Sequence, residues 1–168
     1  MTTIAIKGKT LAADTQLTLG DDIKIYCQKI HVLGAGEVVA IAGNVDAEFH
    51  FKRWLIAGMK PDEWAAYFAE LKEPKYEAIY IDRHASRWYF HDGSDCQPIE
   101  HRFYAIGSGS KLAMAAMHMG LSAVDAVLLA GDLDVNTNKV IDKYDLVTGK
   151  LTKGRRPVST MASALKEA

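Results

Sequence analysis

The order in which strand-like and helix-like segments follow one another is the feature that most constrains the fold of this chain. Short β-prone runs occupy residues 2–43, two helical patterns follow in 45–71, and strands return in 76–107. Two further helical patterns over 111–133 and a hairpin-like region over 139–151 complete the order. Two sheets with paired helices on their outer faces fit this order better than a βαβ alternation does. The sequence therefore predicts an α+β fold, a four-layer αββα sandwich of two mainly antiparallel sheets.

The predicted strands of the first part are short and turn-bounded. Segments 2–7 and 10–14 flank the turn "KGK" and predict a hairpin. The segment "DDIKIYCQKIHVL" alternates around Ile23, Ile25 and Ile30, which predicts a strand packed on a sheet. "GEVVAIAG" is a β-branched run that ends in small residues, and it predicts another such strand.

The two central helical patterns are rich in large apolar side chains. The first covers "VDAEFHFKRWLIAG", and the second covers "KPDEWAAYFAEL", with Pro61 in its first turn. Together they carry more apolar surface than one face of each helix needs against a sheet, so we expect part of it to form an interface in a closed homo-oligomer. The side chains concerned are Phe49, Phe51, Trp54, Trp64, Tyr67 and Phe68.

Length and composition define the class of protein but no activity. A chain of 168 residues predicts a single domain over 1–168. The net charge of −1 lacks the basic excess of a nucleic-acid-binding protein, and no apolar run reaches the roughly 20 residues that span a membrane. Cys27 and Cys96 have no CxxC partner, which is typical of reduced thiols. We therefore expect a cytoplasmic protein without nucleic-acid or membrane partners.

Several common catalytic and binding motifs are missing. "GAGEVVA" and "GSGSKLA" lack the third glycine of the dinucleotide fingerprint, and there is no phosphate-binding P-loop. "DLDVNTN" begins like an EF-hand loop but has Thr137 and Lys143 where that loop requires glycine and glutamate. Neither H-E-x-x-H nor G-x-S-x-G occurs. These absences leave the amino terminus as the candidate centre.

The opening "MTTIAIK" predicts a strand that begins at a threonine. If Met1 is removed, Thr2 carries both a hydroxyl nucleophile and an α-amine whose pKa of about 8 suits a general base. Such a centre also needs a nearby cation and an N–H donor for the oxyanion. Lys29, Asp14 and Gly43 are the candidate residues for these tasks.

Taken together, these segments resemble the proteasome β-subunit family of N-terminal-nucleophile (Ntn) hydrolases, above all its HslV-type bacterial members. "MTTIAIK", "LAADTQLTLG", "QKI", "AIAGNVDA" and "AIGSGSKLAMAA" are similar to the family segments in order and spacing. The resemblance implies a catalytic Thr2 supported by the pair of Lys29 and Asp14. It also implies an oxyanion N–H, a substrate pocket and a supporting serine, at Gly43, Ile41 and Ser108.

The segment "AGDLDVNTN" is similar to a family loop in which backbone carbonyls bind a monovalent cation such as Na⁺. The resemblance places that site at Gly131, Asp134 and Thr137, and makes Asp132 a supporting acid. Asp134 stands where the family has cysteine. The resemblance covers residues 2–138, and 139–168 diverge from the family.

The resemblance implies a threonine-type endopeptidase, the proteolytic subunit of an ATP-dependent protease. It implies two stacked hexameric rings and an HslU-like AAA+ ATPase partner, with no cofactor needed for the chemistry. Two alternatives remain open: a stand-alone Ntn amide hydrolase and a non-catalytic ring subunit.

Overall fold

A computed structural model describes residues 2–19, 23–33, 36–58, 76–82, 84, 86–92 and 96–156. Within these residues the chain forms twelve strands and three helices. All strand pairs in this part of the chain are antiparallel.

The first sheet contains the N-terminal strand in an interior position. Its strands are β1 (Thr3–Lys7), β2 (Thr10–Asp14), β10 (Phe103–Gly107), β11 (Ile141–Asp145) and β12 (Lys150–Thr152), in the order β10-β1-β2-β11-β12. β1 and β2 form the predicted hairpin, and Thr3 pairs with Gly107 on the other side. Because β1 has a neighbour on each side, the beginning of the chain is held firmly at one end of this sheet.

The second sheet runs in the order β5-β6-β7-β8-β9. Its strands are β5 (Ile30–Val32), β6 (Glu37–Gly43), β7 (Tyr76–Asp82), β8 (Arg87–His91) and β9 (Cys96–Pro98). β6 and β7 pair over their whole length, from Glu37 opposite Asp82 to Gly43 opposite Tyr76.

Helices cover the outer faces of both sheets. Helix α1 (Val45–Ile56) packs on the second sheet, while α2 (Ser110–His118) and α3 (Ala123–Leu133) pack on the first. Ser122 is the N-cap of α3, since its side chain accepts a hydrogen bond from the Asp125 N–H. Alanines on the facing surfaces allow α2 and α3 to approach β1 and β2 closely.

The largest apolar cluster lies between the two sheets, and each sheet forms a second cluster with its helices. The central layer includes Ile4, Ile6, Val38, Ile79 and Tyr144, all fully buried. This arrangement of helix, sheet, sheet and helix confirms the predicted αββα sandwich. The expected second central helix, over 60–71, lies outside the described residues.

The prediction that the segment around Ile23, Ile25 and Ile30 is one packed strand is wrong. The chain leaves the first sheet after Asp14 and forms a separate two-stranded ribbon, β3 (Gln16–Leu19) with β4 (Ile23–Tyr26). Ile23 and Ile25 are exposed, and only Ile30, in β5, is buried. Alternation alone did not reveal this, because a two-stranded ribbon has the same period as a strand in a larger sheet.

The aromatic side chains of α1 point in two directions. Phe51 and Trp54 are buried against Tyr76 and the second sheet, so they pack inward. Phe49 is exposed. Trp64, Tyr67 and Phe68 lie outside the described residues. None of the helices in the described residues is long and apolar enough to cross a membrane.

Candidate active site

Thr2 lies immediately before β1, at the end of the first sheet that faces the last residue of β6. It is almost fully buried and borders two cavities. Ladder pairing of Thr3 with Gly107 fixes the backbone direction at this point. Thr2, the candidate nucleophile, therefore lies at the head of a strand that is paired on both sides.

Lys29 and Asp14 form a buried ion pair beside Thr2. The Lys29 Nζ lies 2.7 Å from the Asp14 Oδ1, and the two side chains are 3% and 0% exposed. Lys29 lies just before β5, and its carbonyl accepts the Ile41 N–H at 3.2 Å, which holds it against β6. The predicted pairing of these two residues is present.

Asp14 is fully satisfied despite its burial. Its carboxylate accepts backbone N–H groups from Thr3 and Gln16, each at 2.8 Å, and from Asn138 at 3.3 Å, besides the Lys29 ammonium. Buried carboxylates require such partners. Asp14 therefore ties β1 to Lys29 and to the loop after α3.

Burial lowers the pKa of Lys29 below its ordinary value of 10.5, and the Asp14 carboxylate acts in the opposite direction by stabilising the ammonium. Lys29 thus places its amino group in the wall of a cavity that Thr2 shares.

Gly43 and Ile41 occupy the end of β6 that faces Thr2. Gly43 has a φ of 123°, a conformation that favours glycine, and it borders both cavities. Ile41 lines the cavity that contains Lys29. The structure therefore brings both of these predicted residues to Thr2.

A chain of hydroxyl groups and one carboxylate lies on the other side of Thr2. Ser108 Oγ is 2.6 Å from Asp134 Oδ2 and 3.4 Å from the Thr2 carbonyl oxygen. Thr137 donates its hydroxyl hydrogen to the same carboxylate oxygen at 2.7 Å, so the Thr3 hydroxyl, 2.6 Å away, donates to Thr137. Ser108, Thr3 and Thr137 are thereby organised around one carboxylate.

The carboxylate at the centre of this chain is Asp134 and not Asp132, to which the sequence interpretation assigned the supporting role. The Asp132 side chain is exposed and pairs with Lys139 at the surface. At the end of α3, residues 132 and 134 are two positions apart and so point in different directions. Burial acts to raise the pKa of Asp134, but the hydrogen bonds from Ser108 and Thr137 outweigh it and hold this pKa below 3.8.

Two glycines of "GSGS" are required by the approach of the N-terminal strand. Gly107 has a φ of +89°, and a Cβ there would lie 2.0 Å from the Thr2 carbonyl oxygen. A Cβ on Gly109 would lie 2.1 Å from the Thr3 hydroxyl oxygen. In the sequence this segment contributes to the resemblance through Ser108, and the packing role of its two glycines becomes visible only in the fold.

The two cavities meet at Thr2 and Gly43. The Lys29 cavity, of about 190 Å³, includes Lys29, Ile41, Leu17 and Cys27 in its wall. The Glu77 cavity, of about 370 Å³, is lined by Thr2, Ala42, Gly43, Tyr76, Glu77, Gly107 and Ser108. The sequence carries no signal for Glu77 as a site residue, because its segment "YEAIYID" is typical of an ordinary strand.

The predicted cation loop overlaps with the network, because Asp134 and Thr137 belong to both. The Thr137 N–H donates to the Asp134 carbonyl at 3.0 Å, which closes a turn. Gly131 packs closely on Asn138, since a Cβ there would lie 3.1 Å from the Asn138 carbonyl oxygen. Binding of a monovalent cation by the carbonyls of Gly131, Asp134 and Thr137 stays a prediction.

Solved structures of HslV, BPH and Anbu share the architecture of this chain. Eukaryotic HslV from Trypanosoma brucei matches with a TM-score of 0.62 at 22% identity, over 90% of this chain and 98% of that chain. BPH from Thiobacillus denitrificans, also solved in complex with epoxomicin, matches with a TM-score of 0.66 at 16% identity, over 93% and 99%. Anbu, an ancestral β-subunit, from Yersinia bercovieri matches with a TM-score of 0.72 at 11% identity, over 99% and 92%.

No protein-family profile and no curated protein matches the chain. The structural matches show that it has the Ntn-hydrolase fold. Within that class it has the HslV-type, proteasome-like form of the fold, as the resemblance implied.

Proposed function

We propose that this protein is a threonine peptidase whose nucleophile is the hydroxyl of Thr2, exposed as an N-terminal residue by removal of Met1. The observation that carries the proposal is the position of Thr2 between two cavities, next to the buried pair of Lys29 and Asp14. A lysine that is buried yet paired at a strand terminus is costly for stability and is typical of a catalytic centre.

The first chemical step is acylation. Thr2 Oγ1 attacks a peptide carbonyl carbon while its proton passes to the α-amine of the same residue, which then protonates the leaving nitrogen. The Gly43 N–H stabilises the oxyanion, and the Lys29 ammonium favours the negative charge that develops on Oγ1. Water then hydrolyses the resulting ester by the same proton relay, which regenerates Thr2.

The remaining groups position these reactants. Asp14 orients Lys29, and Ser108, which Asp134 holds, contacts the backbone carbonyl of Thr2. Ile41 contributes to the pocket for a substrate side chain. The loop at Gly131, Asp134 and Thr137 holds a structural monovalent cation.

The working form is a cytoplasmic homo-oligomer, two stacked rings that enclose the active sites. The structural likeness to HslV supports this proposal. Enclosure limits hydrolysis to chains that enter the ring, so an HslU-like ATPase that unfolds and feeds proteins is the proposed partner.

The mechanism is tested by Thr2→Ala and Thr2→Ser, with hydrolysis of a fluorogenic peptide series as the readout. Alanine removes the hydroxyl, and we expect no detectable turnover, whereas serine retains the nucleophile and should retain activity. Intact mass measured on both variants and on the natural chain reports removal of Met1. We also expect epoxomicin to inhibit the natural chain.

Peptide hydrolysis that persists in Thr2→Ala at the natural rate would refute the proposed nucleophile. Circular dichroism and sedimentation of the alanine variant serve as the control for folding and assembly, because only a hydroxyl and a methyl group are lost.

A further inference from the structure

The Glu77 cavity contains a carboxylate at a position where the fold otherwise places apolar side chains. Glu77 lies opposite Ala42 in the β6–β7 pair, so its side chain points toward the first sheet, as the buried Ala42 does. Directly neighbouring residues of β7, Tyr76 and Ala78, are buried. A carboxylate at the rim of a core costs free energy unless a partner compensates it.

Within the part of the chain that the structure describes, the partner of the Glu77 carboxylate is a backbone N–H group. Its Oε2 accepts the Gly107 N–H at 2.6 Å. Among the described residues, Glu77 forms no ion pair with a lysine, arginine or histidine. One carboxylate oxygen is thus bound to the backbone, and the part of the cavity wall that the structure describes holds no counter-charge for Glu77.

The surroundings of the Glu77 cavity reinforce that charge. The lining residues in the described part of the chain include no basic side chain. A second carboxylate, Asp134, lies directly behind Ser108, and its low pKa keeps it ionised at neutral pH. Two carboxylates close to one cavity produce a local potential that attracts cations.

The opposite side of Thr2 has a different character. There the charged wall residue is Lys29, already neutralised by Asp14, and the remaining wall includes Ile41 and Leu17. A peptide that crosses Thr2 therefore meets a cavity of mixed polar and apolar lining on one side, in which Asp14 balances the charge of Lys29. On the other side it meets a carboxylate that has no basic partner among the described residues.

We propose that Glu77 selects peptides carrying a lysine or arginine side chain within two residues of the cleaved bond, on the side of the Glu77 cavity. This inference rests on the proposed peptidase function and names its substrate class. A cationic side chain that enters the cavity forms a charge-assisted hydrogen bond with Oε1, the second carboxylate oxygen of Glu77. Its aliphatic stem packs on Tyr76 and Ala42, the apolar part of the same wall.

The test compares peptides that differ at one position. Each of the two residues on either side of the cleaved bond is set in turn to lysine, methionine or glutamate, and kcat/KM is measured. We expect lysine to exceed methionine by about tenfold or more at one position, and glutamate to be the poorest there.

Glu77→Gln keeps an acceptor for the Gly107 N–H and removes only the charge, so the ratio of lysine to methionine should fall toward one. Glu37→Gln is the matched control, since Glu37 also accepts one hydrogen bond, from Tyr80 at 2.7 Å, at the far end of β6. In Glu37→Gln the ratio of lysine to methionine should equal that of the natural chain. An unchanged ratio in Glu77→Gln, or an equal loss on every peptide, would overturn the inference.

A binding measurement separates this inference from the peptidase mechanism. In a Thr2→Ala background, the affinity for an uncleaved lysine peptide should fall about tenfold on Glu77→Gln and should weaken with salt. Such binding without hydrolysis by the natural chain would refute the peptidase function and support the selectivity of the cavity. Hydrolysis without any preference for basic peptides would support the peptidase and refute the selectivity.

Discussion

At the scale of single residues, the clearest distinction lies between two aspartates that are two positions apart. Asp134 accepts hydrogen bonds from Ser108, Thr137 and Asn136, whereas Asp132 makes a surface ion pair with Lys139. A carboxylate bound by several donors within a partly buried network contributes to stability, while exposed ion pairs contribute little.

We predict that Asp134→Asn lowers the free energy of unfolding at pH 7 by about 1 to 2 kcal/mol, because an amide cannot accept from all of these donors. It should also lower kcat, since Ser108 loses its orientation. The pKa of Asp134 is held below 3.8 in the folded state, so its stabilisation is present above that pH and is lost as the pH falls through the folded pKa. Urea unfolding of both proteins from pH 7 to pH 2 measures the difference.

Asp132→Asn is the matched control and should leave stability and kcat unchanged. Should Asp132→Asn be the variant that loses activity, Asp132 would be the supporting acid, as the family loop implies, and Asp134 would not hold that role.

At the scale of elements, the close contact between β1 and the turn after β10 decides where Thr2 lies. The Thr2 carbonyl oxygen occupies the space that a side chain at Gly107 would need. The interior position of β1 and the hydrogen bonds to Asp14 hold the strand from the other side. The placement of Thr2, the proposed nucleophile, therefore depends on strand packing.

We predict that Gly107→Ala destabilises the protein by about 2 to 4 kcal/mol and displaces Thr2, because the methyl group collides with backbone in addition to the unfavourable positive φ. Gly58→Ala is the matched control, since Gly58 has a φ of +88° and nothing within 4 Å of the added Cβ. It should cost about 1 kcal/mol and leave peptide hydrolysis intact. Equal effects on activity and urea midpoint in both variants would contradict the proposed close contact.

At the scale of the whole molecule, the outer face of α1 is a candidate interface. Phe49 and Ile56 are seven positions apart and so share one side of the helix, and both are exposed. Phe51 and Trp54, which were expected to contribute to an interface, pack inward instead. Among the described side chains of this helix, the candidate interface residues are therefore Phe49 and Ile56, which are apolar and exposed.

We predict that Ile56→Asp reduces the mass of the proposed ring at micromolar concentration, because a charge replaces an apolar side chain that is 76% exposed in the single chain. Val147→Asp is the control, since Val147 is 60% exposed in a turn of the β11–β12 hairpin on the first sheet. Sedimentation velocity gives both masses. An oligomer that persists in Ile56→Asp would exclude α1 from the interface.

The sequence by itself determined the order of the described elements outside residues 16–26, the layer arrangement, and the grouping of Thr2, Asp14, Lys29, Gly43 and Ser108. The spacing of apolar residues and the positions of turn residues predict helices and strands, because each of these elements leaves a pattern in residues that are close together in the sequence. The grouping of site residues followed from segments whose order and spacing resemble a known family, and contacts across the fold agree with it.

Only the tertiary structure decided the features that join distant parts of the chain. The ribbon of β3 and β4 leaves the sheet, Asp134 rather than Asp132 meets Ser108, and Glu77 enters the cavity beside Thr2. Thr3 and Thr137, whose hydroxyls meet at 2.6 Å, are 134 positions apart. Such contacts are set by how the sheets and helices pack, and no local pattern of side chains carries that information.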